Sequence, residues 1–113
     1  MGMCSVISSV AKHIATGAKL EDTYVSFQEY FPSLKTDSTK WGLVVQSLLG
    51  AFAACDALNL SAIGGKDSMS GSFENIDVIP TLVCFSFGEV DKKRLLSRAF
   101  KAPHEFIYAI PLS

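Results

Sequence analysis

The segment Pro80–Phe87 limits the possible folds more than any other stretch. Its β-branched and aromatic run, closed by Gly88, predicts a strand. Side chains alternate along a strand, so Val83, Phe85 and Phe87 face one way and Leu82 and Cys84 the other. Both faces are apolar, and each needs cover. A chain of 113 residues has material for one domain and not two. Its own helices can cover one face, and the other is left for a partner.

Composition points the same way. Apolar residues make up 49% of the chain and charged residues 19%, with a mean hydropathy of +0.30. A membrane span does not account for this excess. The longest apolar stretch, Trp41 to Cys55, is interrupted by Gln46 and Ser47 and followed by Asp56, short of the roughly 20 residues a span needs. Ten Lys and Arg against eleven Asp and Glu leave a net charge of -1, so no global field draws the chain to nucleic acid or anionic lipid. Cys4, Cys55 and Cys84 are well separated, with no C-x-x-C pair and no His at zinc-site spacing, and read as reduced, mostly buried thiols of a cytoplasmic protein. The start lacks the basic residues and apolar run of a secretory signal. The Asn59-Leu60-Ser61 sequon then has no glycosylation machinery to meet.

Val6, Val10 and Ile14 recur at helical spacing between Ser5 and Gly17, with a serine before them and a glycine after, and predict a first helix. Tyr24 to Phe27 alternates as a short strand, and Pro32 discourages its continuation. Asp37 or Ser38 caps a second helix to about Leu58, with Trp41, Val45, Leu48, Phe52 and Cys55 as its stripe. Glycines and alanines make that helix slim enough to lie close against a sheet. Leu60 to Ile63 predicts a strand running into Gly64-Gly65, and Phe106 to Ile110 a final one. The element order predicts an α+β fold, two helices on one face of a mostly antiparallel sheet.

Chemistry concentrates in Ala62 to Ser72. Three glycines allow close backbone approach, Lys66 offers a cation, Asp67 a metal-binding carboxylate, and three serines hydroxyls, all expected just past a strand end. This is an inventory for phosphate and metal, and equally that of a solvated turn. It is not a Walker loop: Leu60 stands five residues before Gly65, and Asp67 follows the lysine. A stand-alone phosphotransferase is disfavoured on that ground. His13 and His104 have no nucleophile near in sequence. Gln28 and Glu29 lie at a strand end, a ligand position or a place for strand-end hydrogen bonds. Glu21, Asp22, Glu74 and Asp77 read as solvated carboxylates, and Lys92-Lys93-Arg94 as a solvated face.

Five blocks in order carry a resemblance: Ser26-Phe27-Gln28-Glu29-Tyr30-Phe31, Trp41-Gly42, Leu49-Gly50-Ala51-Phe52, Ala62 through Gly71, and Ile79-Pro80-Thr81-Leu82-Val83. Together they resemble the large form of phosphoribosylformylglycinamidine synthase, the glutamine amidotransferase family of purine biosynthesis, from about Val6 to Leu112. The resemblance implies an incomplete N-terminal-type subdomain of the aminoimidazole ribonucleotide synthetase-like fold over residues 1–91. Residues 92–113 would be a linker and the first strand of the following domain. It implies ATP and Mg²⁺ as cofactors, with activation of the formamide oxygen of formylglycinamide ribonucleotide as an iminophosphate and displacement by ammonia from glutamine. By position, Asp67 matches the family's metal-binding aspartate and Ser68 its phosphate- or substrate-binding hydroxyl, with Gly65 and Lys66 completing the segment. Where many relatives carry a Glu and an Asn as metal ligands one turn apart on the first helix, this sequence has Ser9 and His13. No glutaminase Cys-His-Glu set and no complete ATP site accompany these blocks. The expected partners are therefore the remaining synthase domains or a sister copy in a homo-oligomer, with the chain alone inactive. The competing expectation is a non-enzymatic α+β interaction module.

Overall fold

The computed structural model describes residues 1–109 and 111. Helix α1 spans Gly2–Ala15 and α2 spans Ser38–Ala57; the strands are β1 (Thr23–Tyr30), β2 (Ser61–Ser68), β3 (Ser72–Phe73), β4 (Ile76–Asp77) and β5 (Thr81–Gly88). The main sheet has the order β2-β1-β5, with β1 parallel to β2 and antiparallel to β5. The fold is α+β, two helices packed on one face of a small mixed sheet, with β3 and β4 forming a separate two-stranded ribbon. No helix among the described residues is long and apolar enough to cross a membrane.

Asp37 caps α2 as its sequence position predicts, its Oδ1 accepting from the amides of Thr39 at 2.9 Å and Lys40 at 3.2 Å. Helix α1 begins three residues before the expected serine cap, because Ser5 is used elsewhere. Its hydroxyl donates to the Leu82 carbonyl at 2.8 Å and accepts from the Cys84 amide at 3.1 Å. A Cβ on Gly2 would collide with the Ser47 carbonyl, so the glycine lets α1 start directly against α2.

The core joins Val6 and Val10 of α1, Val25 of β1, Ala51 and Ala54 of α2, and Leu82 and Cys84 of β5. A second cluster, Phe31, Leu34 and Val44 with Met69 against it, fills the end of the sheet where β1 stops. The buried face of α2 is Val44, Ser47, Ala51 and Ala54. This corrects the stripe expected from spacing: Trp41, Val45, Leu48 and Phe52 face outward, Phe52 at 68% exposure. Both rows have helical periodicity. The small residues are selected inward because only they permit the close approach of α1 and the sheet.

The two-faced strand is observed. Leu82 and Cys84 are buried beneath the helices, while Phe85 and Phe87 are exposed on the opposite side, Phe87 beside Tyr24 of β1. Beyond Gly88 the chain makes a short turn at Lys92–Arg94, and the Leu96 amide donates to the Thr16 carbonyl at 2.9 Å. The strand expected over Phe106–Ile110 is absent from residues 106–109, whose side chains are exposed and have no strand beside them; Ile110 lies outside the described residues.

Candidate functional site

The sequence places Gly64 to Ser68 in a loop after a strand ending at Ile63. The structure corrects this: the whole segment lies within β2, which runs in register with β1 through Ser68. Beside it β1 also runs further than Phe27, to Tyr30, since strands on both sides pair with it to that point. A strand persists where a partner offers backbone groups, and the glycines do not prevent it. β2 is an edge strand, and its residues from Ser61 to Asp67 are all exposed.

Register then sorts the candidate residues by face. Lys66 pairs with Gln28, Asp67 with Glu29, and Ser68 with Tyr30, and paired residues of parallel strands point to the same side. Lys66 and Ser68 lie together on the open face, with Lys66 Nζ donating to Ser68 Oγ at 3.3 Å. Gln28 Nε2 donates to the Lys66 carbonyl at 3.3 Å and ties the two strands on that side. Gly65 lies beside Phe27, where an added Cβ would come within 3.0 Å of the Phe27 carbonyl oxygen. Asp67 projects on the helix-covered side, away from Lys66 and toward Glu29.

The Glu29 and Asp67 pair is the carboxylate constellation that the linear sequence does not display. Glu29 is only 8% exposed. Burial pushes its carboxyl above the ordinary glutamate range, and the neighbouring Asp67 charge adds to the rise. The signal was present in the pattern of β1. Thr23, Val25 and Phe27 alternate inward, and the same alternation carries the polar Glu29 to the covered face.

Such a pair fits a hard divalent cation. Mg²⁺ is commonly held by one or two carboxylates while keeping waters and substrate phosphate oxygens as its other ligands. Among the described residues no group of three or more His, Cys, Asp or Glu converges. Ser9 and His13 do not join Asp67, since they pack over β5 at the opposite edge of the sheet. Ser9 Oγ lies 2.8 Å from Ser86 Oγ, and His13 Nε2 is buried without a hydrogen-bond partner.

The segment after β2 is held firmly. Gly71 donates its amide to the Phe31 carbonyl at 2.9 Å, and a Cβ there would collide with Val78. Asp77, expected to be an ordinary solvated carboxylate, instead accepts from Lys40 Nζ at 2.6 Å and from the Ser72 hydroxyl. These hydrogen bonds, Lys40 first, hold its carboxyl below the usual range. The three cysteines are free; Cys84 is buried and Cys55 half-buried, whereas Cys4 is exposed, against the expectation for that residue.

Comparison with protein-family models, curated proteins and solved structures finds no match to this chain. The functional reading therefore rests on the residues themselves.

Proposed function

We propose that this chain is a portion of an ATP-dependent ligase of the phosphoribosylformylglycinamidine synthase kind, in which β2 forms one wall of a Mg²⁺ and nucleotide-phosphate site. Formylglycinamide ribonucleotide and glutamine are the substrates this reading implies. The observation that carries it is the register of β2 on β1, which gives Asp67 a second carboxylate, Glu29, on the covered side and groups Lys66 with Ser68 on the open side of the same edge strand.

In this reading Asp67 and Glu29 hold Mg²⁺, which when bound neutralises phosphate charge. Lys66 Nζ and the Ser68 hydroxyl donate to phosphate oxygens at the strand's exposed edge. Gly65, where an added Cβ would crowd the Phe27 carbonyl, lets β2 pair closely with β1 beside these residues. Among the described residues no histidine approaches this strand: His13 lies over β5, and His104 is exposed in the segment after the core. A proton acceptor for the amidation step must then come from elsewhere. The chain alone is expected to bind and not to turn over.

The bare outer edge of β2, the open sheet face with Phe85 and Phe87, and the apolar outer row of α2 are the surfaces on which the remaining synthase domains or a sister copy would pack. The same surfaces favour the second reading, an interaction module without catalysis. Calorimetric titration of ADP with and without Mg²⁺ into the wild type and Asp67→Ala separates the two. The ligase reading expects Mg²⁺-dependent binding that Asp67→Ala abolishes. Equal binding by both proteins, or binding by neither, favours the interaction module.

A further inference from the structure

A groove of about 490 Å³ runs along the flank of α2, between that helix and the β1 and β2 side of the sheet. Ala62 is the β2 residue that lines it, and its small side chain leaves room beside the helix. Phe27, Leu48, Phe52 and Leu60 form apolar walls, and Glu29 and Asp56 are the charged lining residues. No lysine or arginine lines it. Glu29 is more than nine-tenths buried, and among the described residues its carboxylate has no salt-bridge partner and accepts no hydrogen bond. Its oxygens reach the solvent of the groove, where a cation can meet them.

We propose that this groove is a binding site for a small amphiphilic amine, with the ammonium on the Glu29 carboxylate and the apolar body against Leu48, Phe52 and Leu60. Charge complementarity selects a cation, since the ionisable lining groups are all acidic. The apolar walls favour an organic cation, whose body they can cover. Phe27 and Phe52 supply aromatic surface of the kind that attracts ammonium groups. A volume of this size suits a small molecule. The proposal goes beyond the ligase reading and is an alternative to it at Glu29, which cannot hold Mg²⁺ and an ammonium at once; Asp67 does not line the groove, and neither nucleotide nor Mg²⁺ is required.

The test is calorimetric titration of the whole chain with 2-phenylethylammonium and with its neutral counterpart 2-phenylethanol, in metal-free buffer. The ammonium is expected to bind about tenfold more tightly than the alcohol. Glu29→Gln should erase that advantage, whereas Asp67→Asn should leave it in place. Phe52→Lys, at an exposed position that does not threaten the fold, puts a cation at the groove and should abolish ammonium binding. Circular dichroism melting checks that each variant is folded. Equal affinity for ammonium and alcohol, or unchanged ammonium binding by Glu29→Gln, overturns the proposal. So does competition by millimolar Mg²⁺ that requires Asp67, which would assign Glu29 to a metal instead. Tighter binding of Nα-acetyl-lysine amide than of phenylethylammonium would point to a peptide and also refute it.

Discussion

The two edges of the main sheet are finished in opposite ways. At β5, helix α1 lies along the edge, and its serines do the work of a missing strand. Ser5 satisfies the Leu82 carbonyl and the Cys84 amide, and Ser9 meets Ser86 one turn later. At β2, eight residues carry no covering helix, and nearly all of them are exposed. An edge sealed by side chains cannot accept another strand, whereas a bare edge presents backbone donors and acceptors to whatever approaches. Gly65, Lys66, Asp67 and Ser68 lie on the bare edge strand, and Glu29 on the central strand beside it. The sealed edge holds Ser9 and His13.

The largest effect expected from this contrast is at the sealed edge. Ser5→Ala removes the hydroxyl with little change of volume, leaving two backbone groups beside buried Leu82 and Cys84 without partners. A loss of about 2 kcal/mol in urea unfolding is expected. A loss under about 0.5 kcal/mol, the range of an ordinary surface substitution, would mean that this edge is as open as the other.

Beside the bare edge, on the central strand, the expected effect has the opposite sign. Glu29 has its carboxyl raised, so its stabilising contribution is full below the ordinary glutamate value of 4.5 and is lost as pH rises through the folded value. Glu29→Gln should therefore unfold at higher urea than wild type at pH 7, with the gap closing near pH 4. A variant less stable than wild type at pH 7 would indicate that Glu29 is paired, and the contrast between a finished and an unfinished edge would weaken.

The smallest effect belongs to the ribbon that follows β2. Asp77 has its carboxyl lowered by Lys40 and Ser72, so its contribution is present above the ordinary aspartate value of 3.8 and disappears as pH falls through the folded value. Hydrogen exchange of the Gly71 and Val78 amides should be faster in Asp77→Asn than in wild type at pH 7. The two proteins should converge in acid. Equal exchange at pH 7 would show that Gly71 and Phe31 hold the ribbon without this ion pair.

Much of the fold was legible because it depends on local pattern. Asp37 marks the start of α2, Gly17 follows the end of α1, and the alternation in Thr81–Phe87 defines a strand with two apolar faces. The face of α2 was not legible. Its large and small rows share one period, and the choice between them depends on how closely α1 and the sheet approach. The end of β2 was not legible either, because glycine, lysine, aspartate and serine resemble a turn until a neighbouring strand pairs with them.

By itself, then, the sequence determined an α+β chain of one small core, richer in apolar surface than that core can bury, with its polar chemistry gathered between Gly64 and Ser68. Only the tertiary structure decided that this segment is a strand, that Lys66 and Asp67 face opposite ways, and that Asp67 meets Glu29 across 38 positions of sequence. The reason is physical: composition and period are properties of a segment, whereas register is a property of two segments and exists only once they pair.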